Sequence, residues 1–120
     1  MHINNTKAAA VNGHWENPGA PFYDALITEP NWQELIQEAY IVVPDAVMTQ
    51  ATKYTNSDVK YPHHVIVDGE LVLHIEGVHA AYSRMRQMHI FDGAAEAHIE
   101  RHFKELGLFD HSNMSGLVEE

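Results

Sequence analysis

The sequence predicts a single α+β domain in which a small antiparallel sheet, with a β-hairpin at residues 63–74, packs against about three helices. Two patterns lead to this fold class. An Asp-Gly pair interrupts a run of alternating apolar residues, which is typical of a hairpin, and apolar residues at helical spacing lie on both sides of that run. A chain of 120 residues with 45% hydrophobic residues can form one core of this kind.

The first third of the chain changes from a polar arm to a helix and a short strand. Residues 1–20 are mostly polar or small, with Gly and Pro among them, and predict an irregular N-terminal arm. Thr28 can cap a helix, and the apolar residues 40–43 predict a strand that ends before Pro44. The apolar face of the helix consists of Trp32, Leu35, Ile36 and Ala39.

The hairpin is predicted by the sequence VIVDGELVL, because an Asp-Gly pair favours a two-residue type I′ turn. The turn also sets the register of the two strands. His63 and His74 then lie opposite each other on one face of the sheet. His64 is expected on the other face, since successive side chains of a strand alternate.

Two helices complete a hairpin and two-helix module at residues 60–108. Residues 78–88 and residues 93–106 both carry apolar residues at helical spacing, and Asp92 can cap the second helix. Residues 109–120 are polar and contain three acids and no base, so they predict a flexible acidic tail.

Charge and composition restrict the partners. The chain has 17 acidic and 7 basic residues, a net charge of −10 with neutral histidine. Because this charge repels polyanions, we expect no direct contact with nucleic acid or with an anionic membrane. We expect a protein partner with a basic surface, and a homo-oligomer is left open. The chain has no long apolar run, no apolar signal segment and no cysteine, which agrees with a cytoplasmic location.

Four histidines form a candidate metal site. His98 and His102 are four residues apart, which puts both rings on one side of the last helix. The hairpin would add His63 and His74, and a set of imidazole ligands suits zinc. The sequence HIERH lacks the glutamate position of the H-E-x-x-H motif, so a zinc protease of that class is not predicted.

The histidines have an alternative interpretation, as hydrogen-bonding groups between the hairpin and the last helix, which needs no cofactor. A ββα-metal nuclease would also place histidines at the start of a strand, but the Asn it needs is missing and the turn is short. No catalytic residue is assigned, because the chain has no cysteine and no G-x-S-x-G motif. The structural polar cluster predicted by the alternative consists of His63, His64, Arg84, Arg101 and His102.

Residues 60–108 resemble a small histidine-rich module of tailed-phage and prophage proteins, often near head-maturation protease or capsid-associated regions. The shared pattern is PHH, then AA-x-(S/A)-R, then H-(I/L)-x-R-H. A protease activity does not carry over, because no Ser/His pair of such an enzyme is identifiable. The matching positions are Pro62, His63, His64, Ala80, Ala81, Arg84, His98, Arg101 and His102.

The resemblance implies a phage or prophage origin and an accessory role, in the host cytoplasm or on the virion. We therefore expect a non-enzymatic protein that acts by protein–protein interaction. It would be head-associated, or would inhibit a host nucleic-acid-binding enzyme by placing its acidic surface in a basic groove. The alternative is a metal-dependent hydrolase or nuclease with histidine ligands. The two hypotheses differ in whether the histidines hold a catalytic metal.

Overall fold

The computed structural model describes residues 1–90 and 92–108 and confirms the α+β class. The predicted flexible tail at residues 109–120 lies outside the described residues. The helices are α1 (Gly19–Ile27), α2 (Trp32–Ala39), α3 (Asp45–Thr49), α4 (Ile75–Gln87) and α5 (Gly93–Glu105). The strands are β1 (His2–Asn4), β2 (Tyr40–Val42), β3 (Lys60–Pro62), β4 (His64–Val67) and β5 (Glu70–Leu73). Short 3₁₀ turns occupy Lys7–Ala9, Ala51–Lys53 and Asn56–Asp58.

The hairpin of β4 and β5 forms in the predicted register. Asp68 and Gly69 have φ angles of 51° and 76°, and both lie in the left-handed region that a type I′ turn requires. Beyond the strands, the backbone N–H of His74 donates to the carbonyl of His63 at 3.1 Å. Local turn chemistry therefore determines this element.

The N-terminal arm is more ordered than the sequence predicts. β1 pairs in parallel with β5, so that the three-stranded sheet has the order β1-β5-β4 and is mixed. The α-amino group of Met1 is 2.7 Å from a carboxylate oxygen of Glu29, and Val11 forms a bridge with His74. The arm predicted to be irregular thus contains a strand at His2–Asn4 and a 3₁₀ turn at Lys7–Ala9, while residues 10–18 form no helix or strand. The strand could not be predicted, because a three-residue edge strand owes its conformation to its partner strand and has no pattern of its own.

The chain changes sheets at His63. β3 pairs with β2 in a separate two-stranded antiparallel sheet, and β4 joins the larger sheet one residue later. Tyr61, in β3, has a φ angle of 65°, which is uncommon for an aromatic residue. The strand alternation assumed for the hairpin is therefore interrupted just before His64.

Helix α5 begins where it was predicted, since the side chain of Asp92 accepts the N–H of Ala95 at 2.9 Å. Helix α4 begins three residues before the predicted position. Its cap is His74, whose Nδ1 accepts the N–H of Gly77 at 3.1 Å. Histidine is not among the usual helix caps, so the sequence does not predict this start.

The buried apolar residues form two clusters. One surrounds α1 and α2 and includes Leu71, and the other surrounds α4 and α5 and includes Leu73. These two residues of β5 therefore contribute to different parts of the core. None of the helices in the described part of the chain has the length and apolar character needed to span a bilayer.

Candidate metal centre

Four imidazole rings meet between the start of β4 and helix α5. They belong to His63, His64, His98 and His102, and we call them the histidine cluster. The ring centroids of neighbouring members are between 4.7 and 5.1 Å apart. His63, His64 and His102 have no exposed surface, and His98 is partly buried. Buried titratable groups at this density require a physical explanation.

The structure brings together three of the four predicted metal ligands and replaces the fourth. His63, His98 and His102 belong to the cluster, but His74 does not. The ring of His74 caps α4 and packs edge-on against Trp15, with a centroid distance of 5.0 Å. His64 takes its place, because the change of sheets brings its ring to the same region as that of His63.

The predicted polar cluster is present without one of its members. Arg101 lies beside the histidines and makes two hydrogen bonds to the carboxylate of Glu38, at 3.0 and 3.1 Å. Arg84 is exposed on α4 and lines a separate cavity. The sequence does not predict the contact between Glu38, at the end of α2, and Arg101 of α5. The two residues are far apart in the chain, and no short-range spacing connects them.

For two of the buried rings, one nitrogen is held by an oxygen acceptor. Nδ1 of His63 is 3.0 Å from the carbonyl oxygen of Tyr61, and Nδ1 of His102 is 2.7 Å from Oε1 of Glu105. Carbonyl and carboxylate oxygens accept hydrogen bonds, so both Nδ1 atoms carry the proton. In a neutral ring, Nε2 of each of these histidines then has a free lone pair. The lone pair of His63 Nε2 faces Nε2 of His98 at 3.2 Å.

The third buried ring is held by the N-terminal arm. Nε2 of His64 is 2.9 Å from Oδ1 of Asn5, and Nδ2 of the same amide donates to Glu38 at 2.7 Å. The bond to the carboxylate fixes the amide orientation, so that Oδ1 accepts the proton of His64 Nε2. Nδ1 of His64 therefore has the free lone pair.

Two of these free lone pairs have no hydrogen-bond partner. Within residues 1–90 and 92–108, His64 Nδ1 and His102 Nε2 are buried side-chain nitrogens that accept no hydrogen bond. His102 Nε2 is 3.4 Å from Oε2 of Glu38, but the contact lacks hydrogen-bond geometry. A buried polar atom without a partner costs about 1–3 kcal/mol, and a hydrogen-bond donor or a metal ion at these nitrogens would remove that cost.

Burial keeps the rings neutral. It lowers the pKa of His63 and His64 well below the usual value, with further lowering by neighbouring histidines. Burial, with the nearby His98, lowers the pKa of His102 to about 3. The neutral imidazole is the form that binds metal ions.

Glu38 supplies negative charge at the edge of the cluster. Burial is the largest single effect and raises the pKa of Glu38, but the hydrogen bonds and charges of its neighbours, with Arg101 first among them, together outweigh it, so the net pKa lies below its usual value. The carboxylate is therefore ionised beside the neutral rings. It offers an oxygen donor of the kind that completes many zinc sites.

Two overlapping sets of donor atoms can hold a metal ion. His63, His64 and His102 each offer one atom, and these atoms lie within 4.8 Å of one another. The same limit holds for Glu38, His98 and His102. With bonds of about 2.0–2.1 Å, tetrahedral zinc needs donors about 3.4 Å apart, a change that small ring movements provide. His102 belongs to both sets and lies at the centre of the candidate site.

Three of the four rings of the histidine cluster have no exposed surface, and the ring of His98 is partly buried. Two surface cavities, of about 630 and 570 Å³, have linings that include no member of the histidine cluster. Glu38 is the exposed edge of the site, and only 15% of its side chain is accessible. Closed sites with protein ligands only are typical of structural zinc.

Comparisons with protein-family models, curated proteins and solved structures found no match. The arrangement of donor atoms is therefore the main evidence on function.

Proposed function

We propose that this protein binds one divalent transition-metal ion of the zinc class in the histidine cluster, and that the ion has a structural role. His63, His64 and His102 are the core ligands, and Glu38 or His98 supplies the fourth. The observation that carries the proposal is the state of the three buried rings. Each has one nitrogen held by an oxygen acceptor and leaves the other with its lone pair.

Each buried ring makes a hydrogen bond with the nitrogen that would not bind the ion, and these bonds favour a metal over a hydrogen-bonded cluster. Metal-binding histidines usually donate their other N–H to a carbonyl, a carboxylate or a similar acceptor, which fixes the ring. Tyr61, Asn5 and Glu105 have this role here. A cluster held by hydrogen bonds alone would not leave His64 Nδ1 and His102 Nε2 without partners.

The closed geometry favours a structural ion over a hydrolase or nuclease. A catalytic zinc keeps an open position for water and substrate, whereas three of these rings have no exposed surface. The ion would connect β4, α5 and, through Asn5 and Glu38, the arm and α2. It would thereby hold together elements that belong to both apolar clusters.

A role through protein contacts is compatible with this proposal. A closed metal centre leaves the outer surface of the domain for a partner, and the net charge of −10 favours a partner with a basic surface. The phage or prophage accessory role remains a proposal that rests on the sequence resemblance of residues 60–108. Gene neighbours outside any phage locus would remove its support.

Metal content is the direct test of the proposed function. The protein is purified without a His-tag and analysed by plasma mass spectrometry, then melted with and without EDTA. We expect about one zinc-class ion per chain and a lower melting temperature after chelation. Metal-free protein that melts at the same temperature with added zinc or EDTA would contradict the proposal.

A further inference from the structure

A cavity of about 570 Å³ lies between the arm, β3 and α4, and its lining includes Tyr61, whose carbonyl contacts His63, but no member of the histidine cluster. Its volume falls in the range of small-molecule sites, about 300–1,000 Å³. The residues that matter for its chemistry are Trp15, Asn17, Asn56, Lys60, Tyr61 and Arg84.

The cavity is positively charged in a strongly acidic protein. Lys60 and Arg84 line it, and within residues 1–90 and 92–108 its lining contains no Asp or Glu. Among the residues that the structure describes, neither cation forms a side-chain hydrogen bond or an ion pair, although the chain has 17 acids. Two unpaired cations at one concave surface favour an anionic ligand.

An aromatic wall is fixed in place before any ligand binds. The ring of Trp15 lies against the backbone of Gly77, so closely that a Cβ atom there would be 2.7 Å from Cε3 of the indole. The ring of His74 packs against the indole of Trp15 in an edge-to-face arrangement, at a centroid distance of 5.0 Å. A flat apolar group of a ligand can pack against such a wall without ordering it first.

We propose that this cavity binds a small phosphate monoester that carries a planar ring, of the nucleoside monophosphate class. Lys60 and Arg84 would contact the phosphate, and the ring would pack against Trp15. Two cations match a phosphate dianion better than a single carboxylate, and the planar guanidinium of Arg84 can bind phosphate through two N–H groups. A small ligand avoids the repulsion that a nucleic acid polymer would meet from the rest of the surface.

The test uses AMP as the probe and the untagged protein of 120 residues, as purified. Binding is measured by calorimetry and by the fluorescence of Trp15 in a Trp32→Phe background. We expect saturable one-to-one binding of AMP and a change in Trp15 emission. Adenosine, inorganic phosphate and indole-3-acetate are each expected to bind at least about tenfold more weakly than AMP. Adenosine lacks the phosphate, inorganic phosphate lacks the ring, and indole-3-acetate lacks the second negative charge.

Matched variants at the cavity and on α4 assign the contacts. Arg84→Met and Lys60→Met are each expected to weaken AMP binding about tenfold or more, with unchanged metal content and melting temperature. Arg86→Met is the control, because Arg86 is exposed on the same helix as Arg84, contacts Tyr82 and does not line the cavity. It is expected to bind AMP like the wild type.

Three results would overturn the inference. They are the absence of saturable AMP binding, equal binding of AMP and indole-3-acetate, and equal losses in Arg84→Met and Arg86→Met. A protein that holds metal but fails these measurements would keep the proposed function and lose only the ligand site, because the cavity and the histidine cluster share no residue.

Discussion

At the scale of single residues, the proposal depends on His64 Nδ1 and His102 Nε2, two buried nitrogens that accept no hydrogen bond within residues 1–90 and 92–108. We expect His102→Ala to abolish stoichiometric zinc binding, because His102 belongs to both donor sets. At a hundredfold excess of zinc over Kd, the wild type should gain about 3 kcal/mol from the metal and the variant nothing. Urea unfolding with and without zinc measures this difference.

The control for this prediction is His74→Asn. His74 caps α4 and lies outside the cluster, and Asn is a good helix cap. This variant should bind zinc like the wild type. Loss of zinc in His74→Asn, or its retention in His102→Ala, would show that the ligands were wrongly assigned.

Asn5 tests the residues that hold the rings in place. Its amide accepts the proton of His64 and donates to Glu38. We expect Asn5→Ala to weaken zinc binding about 10–100-fold while the bound stoichiometry is kept. Competition with a chelator of known affinity gives the change. Asn12→Ala, elsewhere on the arm, should have the wild-type affinity, and equal weakening in both variants would count against a specific role for Asn5.

At the scale of secondary-structure elements, the turn of the hairpin gives a prediction independent of the metal. Gly69 has a φ angle of 76°, whereas Gly93, at the start of α5, has no positive φ and open space where a Cβ atom would lie. Gly69→Ala should lower the free energy of unfolding by about 1–2 kcal/mol. Gly93→Ala should be neutral or slightly stabilising. Denaturant unfolding compares them, and equal effects would contradict the assigned turn.

The parts of the fold that could be predicted from the sequence are those with short-range causes. The Asp-Gly turn determines the hairpin register, and the spacing of His98 and His102 places both rings on one face of α5. β1 and the place of His64 in the histidine cluster could not be predicted, because they depend on a partner strand and on the change of sheets at His63. Glu38 reaches the site only through tertiary packing.

At the scale of the whole molecule, the neutral histidines predict how stability depends on pH. Their pKa values are lowered in the folded state, so the unfolded chain binds more protons as the pH falls below about 6.5. The metal-free protein should lose about 2 kcal/mol between pH 7 and pH 5 for each histidine that stays neutral when folded. The charged groups that face the cluster are Glu38, Arg101 and Glu105.

Urea unfolding in EDTA at several pH values measures this dependence. Stability should be nearly constant from pH 8 to pH 7 and fall steadily below pH 6.5. Only below the unfolded pKa does the unfolded chain bind protons that the folded chain does not bind. Constant stability down to pH 5 would mean that the rings are protonated or exposed in the native state.

A buried ion would join elements from both apolar clusters of a domain whose total stability is expected to be only about 5–15 kcal/mol.

The most direct measurement is a crystal structure of the tag-free protein with one equivalent of zinc, with data collected on both sides of the zinc absorption edge. We predict one anomalous peak about 2.0–2.1 Å from His64 Nδ1, His102 Nε2 and His63 Nε2. Ordered rings with no anomalous peak between them would contradict the account.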